Sequence, residues 1–400
     1  MKRLGWHAMV YTAGIVLGRA VSFVLLPLYT HYLTPADYGV MELIELTLDV
    51  VGIFAGTQLA SGVFRFYHKA ESESDRRAVL STAMVLMCTS FAAFAVATAF
   101  FAPSLSRLVL GSARYESLIR IAATTLGIQS LVTVPLAYLR LQERSLRFTY
   151  INIIRLILQL SLNIVFVAAL RLGVKGILLS TLITNAVLAV ILGVPFVSRV
   201  GLAVSGKWMR ALLRYGTPLI AMNVATFVST FGDRYFLRAQ GDMTVVGLYT
   251  LSYQFGFLLM SLGYVPFSMM WEPARFEIAK REPAERDAVF ARVFIYLNVA
   301  LLTLAVGMAL FVGDFLSVMA APAFLRAADL VPVILLAYVL QGWSSFQELG
   351  LLVRERTEFV TLSNWLAAAT AVIGYVVLIP RFLGLGAAIA TVLAARSAGR

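Results

Sequence analysis

The chain has 400 residues, of which 60% are hydrophobic and only 14% charged, and it carries a formal net charge of +12. A soluble fold of this length needs far more polar surface, so the composition excludes a globular protein in water and reads as an all-α, polytopic membrane protein. The surplus of Lys and Arg then predicts topology and contact with anionic lipids, and no nucleic-acid partner is expected.

A helix crosses a bilayer with about 20 apolar residues, and twelve runs approach that length. In order they are 8–32, 39–64, 78–102, 117–139, 149–170, 174–198, 215–237, 245–270, 290–312, 329–351, 360–380 and 384–395. The first is a full-length span without a small-residue cleavage site, which predicts an uncleaved first helix rather than a secretory signal peptide. Between the runs, connectors alternate. Thr34–Tyr38, Arg171–Gly173 and Gly241–Thr244 are short and poor in cations, whereas Arg65–Arg77, Arg140–Arg147, Arg199–Arg214 and Arg275–Arg292 are basic. With the N-terminus in the cytoplasm, 22 Lys and Arg fall on the cytoplasmic side, 8 on the outer side and 3 inside spans. One missed span would scramble every later connector, so this steady bias supports spans and orientation together.

The sequence also repeats. Tyr38-Gly39-Val40-Met41 opens the second run and Val246-Gly247-Leu248-Tyr249 the eighth, an offset of 208. Arg171-Leu172-Gly173-Val174-Lys175-Gly176-Ile177 aligns with Arg381-Phe382-Leu383-Gly384-Leu385-Gly386-Ala387 at an offset of 210. Six spans per copy is an even number, so both copies share one orientation, a parallel repeat about an axis along the membrane normal. The expectation is two six-helix lobes, 1–202 and 203–400, around a central cavity. The second copy stops early, with either a short last helix or an early chain end.

Catalytic signals are missing. One cysteine, Cys88, cannot form a disulfide framework, and His7, His31 and His68 lack metal-ligand spacing. No Walker A run, nucleophile elbow or His-Glu-x-x-His occurs, and the soluble loops are too short for a catalytic domain. Neither enzyme activity nor a cofactor is expected.

Ionisable groups at membrane depth are the informative residues, since each costs about 2.5–3.5 kcal/mol on insertion scales. Arg19 sits halfway along the first run, Arg155 in the cytoplasmic half of the fifth, and Asp233-Arg234 in the outer half of the seventh. Glu42, Glu45 and Asp49 follow at i, i+3 and i+7, on one stripe of the second helix. At about 1.5 Å per residue, Asp49 lies near the depth of Arg19 and within reach of pairing with it. Structural ion pairs between helices account for part of this set, snorkelling for Arg155 and Arg234 for another, and Asp233 is expected to face away from Arg234. Taken together, the three arginines predict a hydrated cavity with cationic walls. The guanidinium fork suits a phosphate, to which it gives two parallel hydrogen bonds. Gly14 and Gly18 precede Arg19 as a Gly-x-x-x-Gly, either for close packing or for a bend. Pro27, Pro266 and Pro332 are expected to interrupt their spans.

Leu26-Pro27-Leu28-Tyr29-Thr30-His31-Tyr32-Leu33-Thr34-Pro35-Ala36-Asp37-Tyr38-Gly39 resembles the end of the first helix of bacterial polysaccharide flippases of the O-antigen and exopolysaccharide type. Phe231-Gly232-Asp233-Arg234-Tyr235-Phe236-Leu237, followed by Val246-Gly247-Leu248-Tyr249-Thr250, is similar to their seventh helix and the turn after it. Ile379-Pro380-Arg381-Phe382-Leu383-Gly384-Leu385-Gly386-Ala387-Ala388 resembles the start of their twelfth. The similarity covers nearly the whole chain, and its motifs are shared across the multidrug/oligosaccharidyl-lipid/polysaccharide exporter superfamily. It implies two lobes forming a V around a central cavity, and export of an undecaprenyl-pyrophosphate-linked oligosaccharide by ion-driven alternating access. It also implies an inner-membrane location, and other membrane proteins of polysaccharide assembly as partners. Arg19 stands where the family often has a cavity arginine, and Asp233 where it has its helix-seven acid.

The expected site is therefore Arg19, Arg155 and Arg234 for the pyrophosphate, with Asp49, Glu45 and Asp233 as ion-coupling candidates and no metal. Two alternatives stand beside the flippase. A cation-coupled multidrug or metabolite antiporter favours a more acidic, aromatic-lined cavity. A scaffold or enzyme subunit acting on lipid-linked sugars needs longer outer loops.

Overall fold

A computed structural model describes residues 25–353 and 357–398. Every regular element among them is helical. Nine helices among the described residues are long and apolar enough to cross a bilayer. Eight of these coincide with single expected spans, from Glu73–Phe100 to Pro322–Gln347. The first expected span lies outside the described residues, except for its helical end at 25–32.

The second expected span is not one helix. It breaks into α1 (Pro35–Ala55) and α2 (Leu59–Lys69), because Gly56 turns left-handed at φ 104° and Gly52 O accepts from both Gly56 N and Thr57 N. A residue with a Cβ pays for that φ, and glycine does not. The eleventh and twelfth expected spans meet at a tight reversal. The helical stretch α13 (Thr357–Ala398) reverses at Leu383, whose φ of 47° and ψ of −124° end one helix and start another. A Cβ on Gly374 would meet that of Ala390, and one on Gly386 would run into the Leu378 carbonyl. The two halves therefore lie back to back, and the small residues of the repeat motif make that contact possible.

The expected interruptions at prolines are met at Pro266 and not at Pro332. Pro266 opens α10 (Val265–Ile278) inside the continuous Met243–Glu272 span, directly after a π-helical turn at Met260–Tyr264 that interrupts the α-helical pattern as expected, whereas Pro332 is the second residue of α12 (Val331–Val353). At a helix start, proline's missing N–H costs nothing. Pro135, Pro218 and Pro380 lie inside helices.

By internal contacts the chain forms two compact units, one of Val40–Val224 and one of the described residues up to Gly39 together with Ala225 onward. In the first, α3 (Glu73–Phe100) packs along α4 (Glu116–Leu141). Leu80, Met84, Met87 and Phe91 recur at helical spacing on α3 and bury against Leu126 and Val134 of α4. Ser72 caps α3 by accepting from Asp75 N. The following helices are α5 (Ser145–Asn163) and α6 (Gly173–Leu188), each running on through a π-helical turn, at Ile164–Ala169 and Ala189–Gly193. The linker beyond is pinned to the start of α3, since Ser81 Oγ donates to Ala203 O at 2.6 Å and Ser205 N to Thr82 Oγ1 at 3.0 Å.

The second unit contains the start of α1, the end of α7 (Gly206–Phe231), α8 (Asp233–Gln240), α9 (Met243–Leu259), α11 (Pro283–Met319), α12 and α13. The motif Thr34-Pro35-Ala36-Asp37 is a capping box. Asp37 N donates to Thr34 Oγ1 and Thr34 N to Asp37 Oδ2, each at 3.1 Å, with Pro35 at the first helical position. Asp242 caps α9 at Val245 N in the same way. These two helix starts meet: a Cβ on Gly39 would run into the Met243 carbonyl, and one on Gly247 into that of Pro35. The two glycines that mark the sequence repeat are thus packed on each other's helix.

Candidate functional site

In the second unit the α7 helix stops at Gly232, where a Cβ would collide with the Val228 carbonyl, and α8 begins with Asp233 and Arg234. Both side chains are fully buried, at 0% exposure. Burying an arginine demands a partner, and the preceding residue supplies it. Asp233 Oδ1 accepts from Arg234 Nη1 at 2.6 Å and from Arg234 N at 2.9 Å. Asp233 Oδ2 accepts from Tyr249 Oη at 2.6 Å and Tyr253 Oη at 3.2 Å, two residues one turn apart on α9. The same Nη1 donates to Thr230 O at 2.8 Å, and the guanidinium lies 3.9 Å from the centroid of the Tyr253 ring.

The cluster reaches into α13. Tyr253 Oη lies 2.9 Å from Thr391 Oγ1, and Tyr375 donates to Ser229 O at 3.0 Å. Next to it is a cavity of about 120 Å³ with Thr230, Tyr253, Gln341, Asn364 and Thr391 in its walls. Its polar lining and size suit several waters. A carboxylate with four donors, opposite a guanidinium, is a neutral pair that ties three helices together.

This differs from the sequence expectation in two respects. Asp233 does not face away from Arg234, because the helix break at Gly232 lets its carboxylate fold back over the next residue. Arg234 accordingly does not present an open fork towards solvent: it is fully buried, and its Nη1 donates to both Asp233 and Thr230. The remaining expected residues lie in the first unit or outside the described chain. Glu45 and Asp49, one turn apart on α1, are both exposed. Arg155 is exposed on α5. Arg19, with the Gly14 and Gly18 ahead of it, lies outside the described residues, and so does its expected pairing with Asp49.

Sequence reasoning missed Tyr249, Tyr253, Tyr375 and Thr391, because a tyrosine in an apolar run reads as core. The available signal was the i, i+4 spacing of Tyr249 and Tyr253 two turns after a buried acid's helix, since buried phenols seek a polar partner.

The structure is similar to that of lipid II flippase MurJ in its inward closed conformation, with a TM-score of 0.80 and 12% identity over 98% of this chain and 86% of that one. It is similar to the inward-facing conformation of a multidrug resistance MATE family transporter of the MOP superfamily, with a TM-score of 0.75 and 13% identity over 95% of this chain and 92% of that one. A MOP superfamily transporter from Pyrococcus furiosus, described as having a binding pocket of reverse polarity, aligns with a TM-score of 0.61 and 13% identity over 98% and 92% of the two chains. At such identities the likeness establishes the fold. No curated protein matches the sequence at a significant level. Residues 30–329 match the family described as "Polysaccharide biosynthesis protein", and the chain, a multi-pass membrane protein with the fold of the MOP superfamily, belongs to that family.

Proposed function

We propose that the chain moves an undecaprenyl-pyrophosphate-linked oligosaccharide from the cytoplasmic to the outer leaflet of the bacterial inner membrane, by ion-coupled alternating access. The observation that carries this is the polysaccharide-biosynthesis family match over residues 30–329, on a fold whose solved examples are flippases and transporters. Membrane-depth arginines support an anionic cargo. Arg19 and Arg155 are the cations proposed to meet the pyrophosphate, and Arg234 acts behind them, holding its helix start in place through Asp233. An inside-negative potential assists outward movement of the head group by about 2.3 kcal/mol per charge per 100 mV. Of the acids, Glu45 and Asp49 are exposed and open to exchange with a coupling ion, whereas Asp233 is already saturated by donors. Residues 1–202 and 203–400 are proposed as the two repeats that alternate.

The test is reconstitution. Proteoliposomes carrying a polyprenyl-diphosphate glycan in the inner leaflet are expected to expose it to an external lectin when the protein is present. An unchanged inner pool refutes the proposal.

A second reading, a cation-coupled drug or metabolite antiporter, is favoured by the exposed Glu45–Asp49 stripe alone. Dye efflux from the same vesicles, without glycan movement, would establish it instead.

A further inference from the structure

The first unit contains a second constellation that the transport scheme does not use. The α2 helix and the start of α7 pack along one seam: a Cβ on Gly62 would touch Leu212 and Tyr215, and the Phe66 ring lies 6.0 Å from those of both Trp208 and Tyr215. Over this aromatic floor opens a groove of about 540 Å³, lined by Arg65, Lys69, Lys207, Arg210 and Arg214. Arg65 and Lys69 are i, i+4 on α2, and Lys207, Arg210 and Arg214 are i, i+3, i+7 on α7, so two basic stripes face one another.

Five cations share this groove without a carboxylate in its lining, and none of the five forms an ion pair among the described residues. Two of the acids that follow α2 are committed elsewhere, and exposed Glu71 is not in the groove's lining. Asp75 accepts from Trp208 Nε1 at 3.3 Å, and Glu73 lies 3.8 Å from Arg76 and 3.9 Å from Arg77. Like charges one turn apart repel by about 0.2–0.5 kcal/mol per pair, so folding concentrates positive charge here at a cost. The rings of Tyr215 and Trp208 soften it, with the Arg65 guanidinium 5.2 Å and the Lys207 ammonium 4.6 Å from their centroids. What remains is a recess for a compact, multiply charged anion. A phosphodiester carries one charge, whereas a diphosphate carries two or three over two phosphorus centres and suits cations presented from both stripes. The aromatic floor belongs to the level where a membrane meets water, and the connector charge count assigns this seam to the cytoplasmic side.

We infer that this groove is a docking site for a lipid-borne diphosphate, which it captures from the cytoplasmic leaflet before transport; the inference rests on the flippase reading above. The probe is undecaprenyl diphosphate, titrated into the full-length protein in phosphatidylcholine nanodiscs and read by native mass spectrometry. The double variant Arg65→Gln/Arg210→Gln is expected to bind about tenfold more weakly, ~1.4 kcal/mol over two exposed charge-assisted contacts, with an unchanged thermal midpoint. The lysine pair Arg65→Lys/Arg210→Lys is expected to recover most of the affinity.

Equal binding by wild type and the glutamine variant overturns the groove assignment while leaving the flippase proposal intact. Failure of the wild type to bind overturns both. Phosphatidylglycerol at the same mole fraction competing as strongly as the diphosphate lipid overturns the assignment to a diphosphate, and inorganic pyrophosphate binding as tightly overturns a lipid-borne ligand.

Discussion

Tyr249 donates its phenolic hydrogen to Asp233 Oδ2 at 2.6 Å, so the carboxylate that balances Arg234 is held from a second helix as well as its own. Hydrogen bonds to charged groups contribute about 1.5–3 kcal/mol, and Tyr249→Phe is expected to lower stability by roughly that amount. Tyr253→Phe costs less, because its 3.2 Å contact with the same oxygen is longer. Chemical unfolding in detergent measures both, and a larger loss for Tyr253→Phe contradicts the assignment.

The Asp233–Arg234 pair predicts a sign change on double substitution. Asp233→Asn alone strands a buried guanidinium and is expected to cost roughly 3–5 kcal/mol, whereas Asp233→Asn/Arg234→Met removes both charges and recovers most of the loss. A double-mutant cycle on unfolding checks this. Additive losses would show that the two side chains act independently.

Glycine positions separate contact from propensity. Gly247→Ala places a methyl against the Pro35 carbonyl and is expected to reduce folded yield sharply, while Gly307→Ala on α11, with nothing within 4 Å, is expected to be neutral or slightly stabilising. Size-exclusion profiles of the two variants, expressed side by side, decide the matter. Equal yields would mean that the helix starts do not meet as described.

Much of the fold was legible in the residues. Apolar run length placed eight spans, since in lipid each backbone polar group must be satisfied inside its own helix. Run length starts the second helix at residue 39 and leaves Thr34–Tyr38 as a connector, whereas the capping box starts it at Pro35. Breaks were harder. Gly56 lies inside an unbroken apolar run, whereas the reversal at Leu383 falls in the short connector expected between the eleventh and twelfth spans. The site was half legible: buried acids and arginines stand out by cost, but which of them pair depends on the local helix break at Gly232, and the tyrosines that complete the cluster carry no charge to mark them.

The α1 acids carry the coupling prediction. Glu45→Gln and Asp49→Asn are expected to leave stability unchanged, because both side chains are exposed, while together removing the dependence of transport on the driving ion gradient. Vesicle transport with and without an imposed gradient measures this. A variant that keeps full gradient dependence takes those two carboxylates out of the coupling.

The most direct measurement is lectin capture of a polyprenyl-diphosphate-linked glycan on proteoliposomes loaded with that lipid on the inside only. Wild-type protein is expected to bring the glycan to the outer leaflet faster under an inside-negative potential, and to leave a cationic dye where it is. Dye movement with no glycan reaching the lectin would contradict the flippase and assign the chain to drug or metabolite exchange.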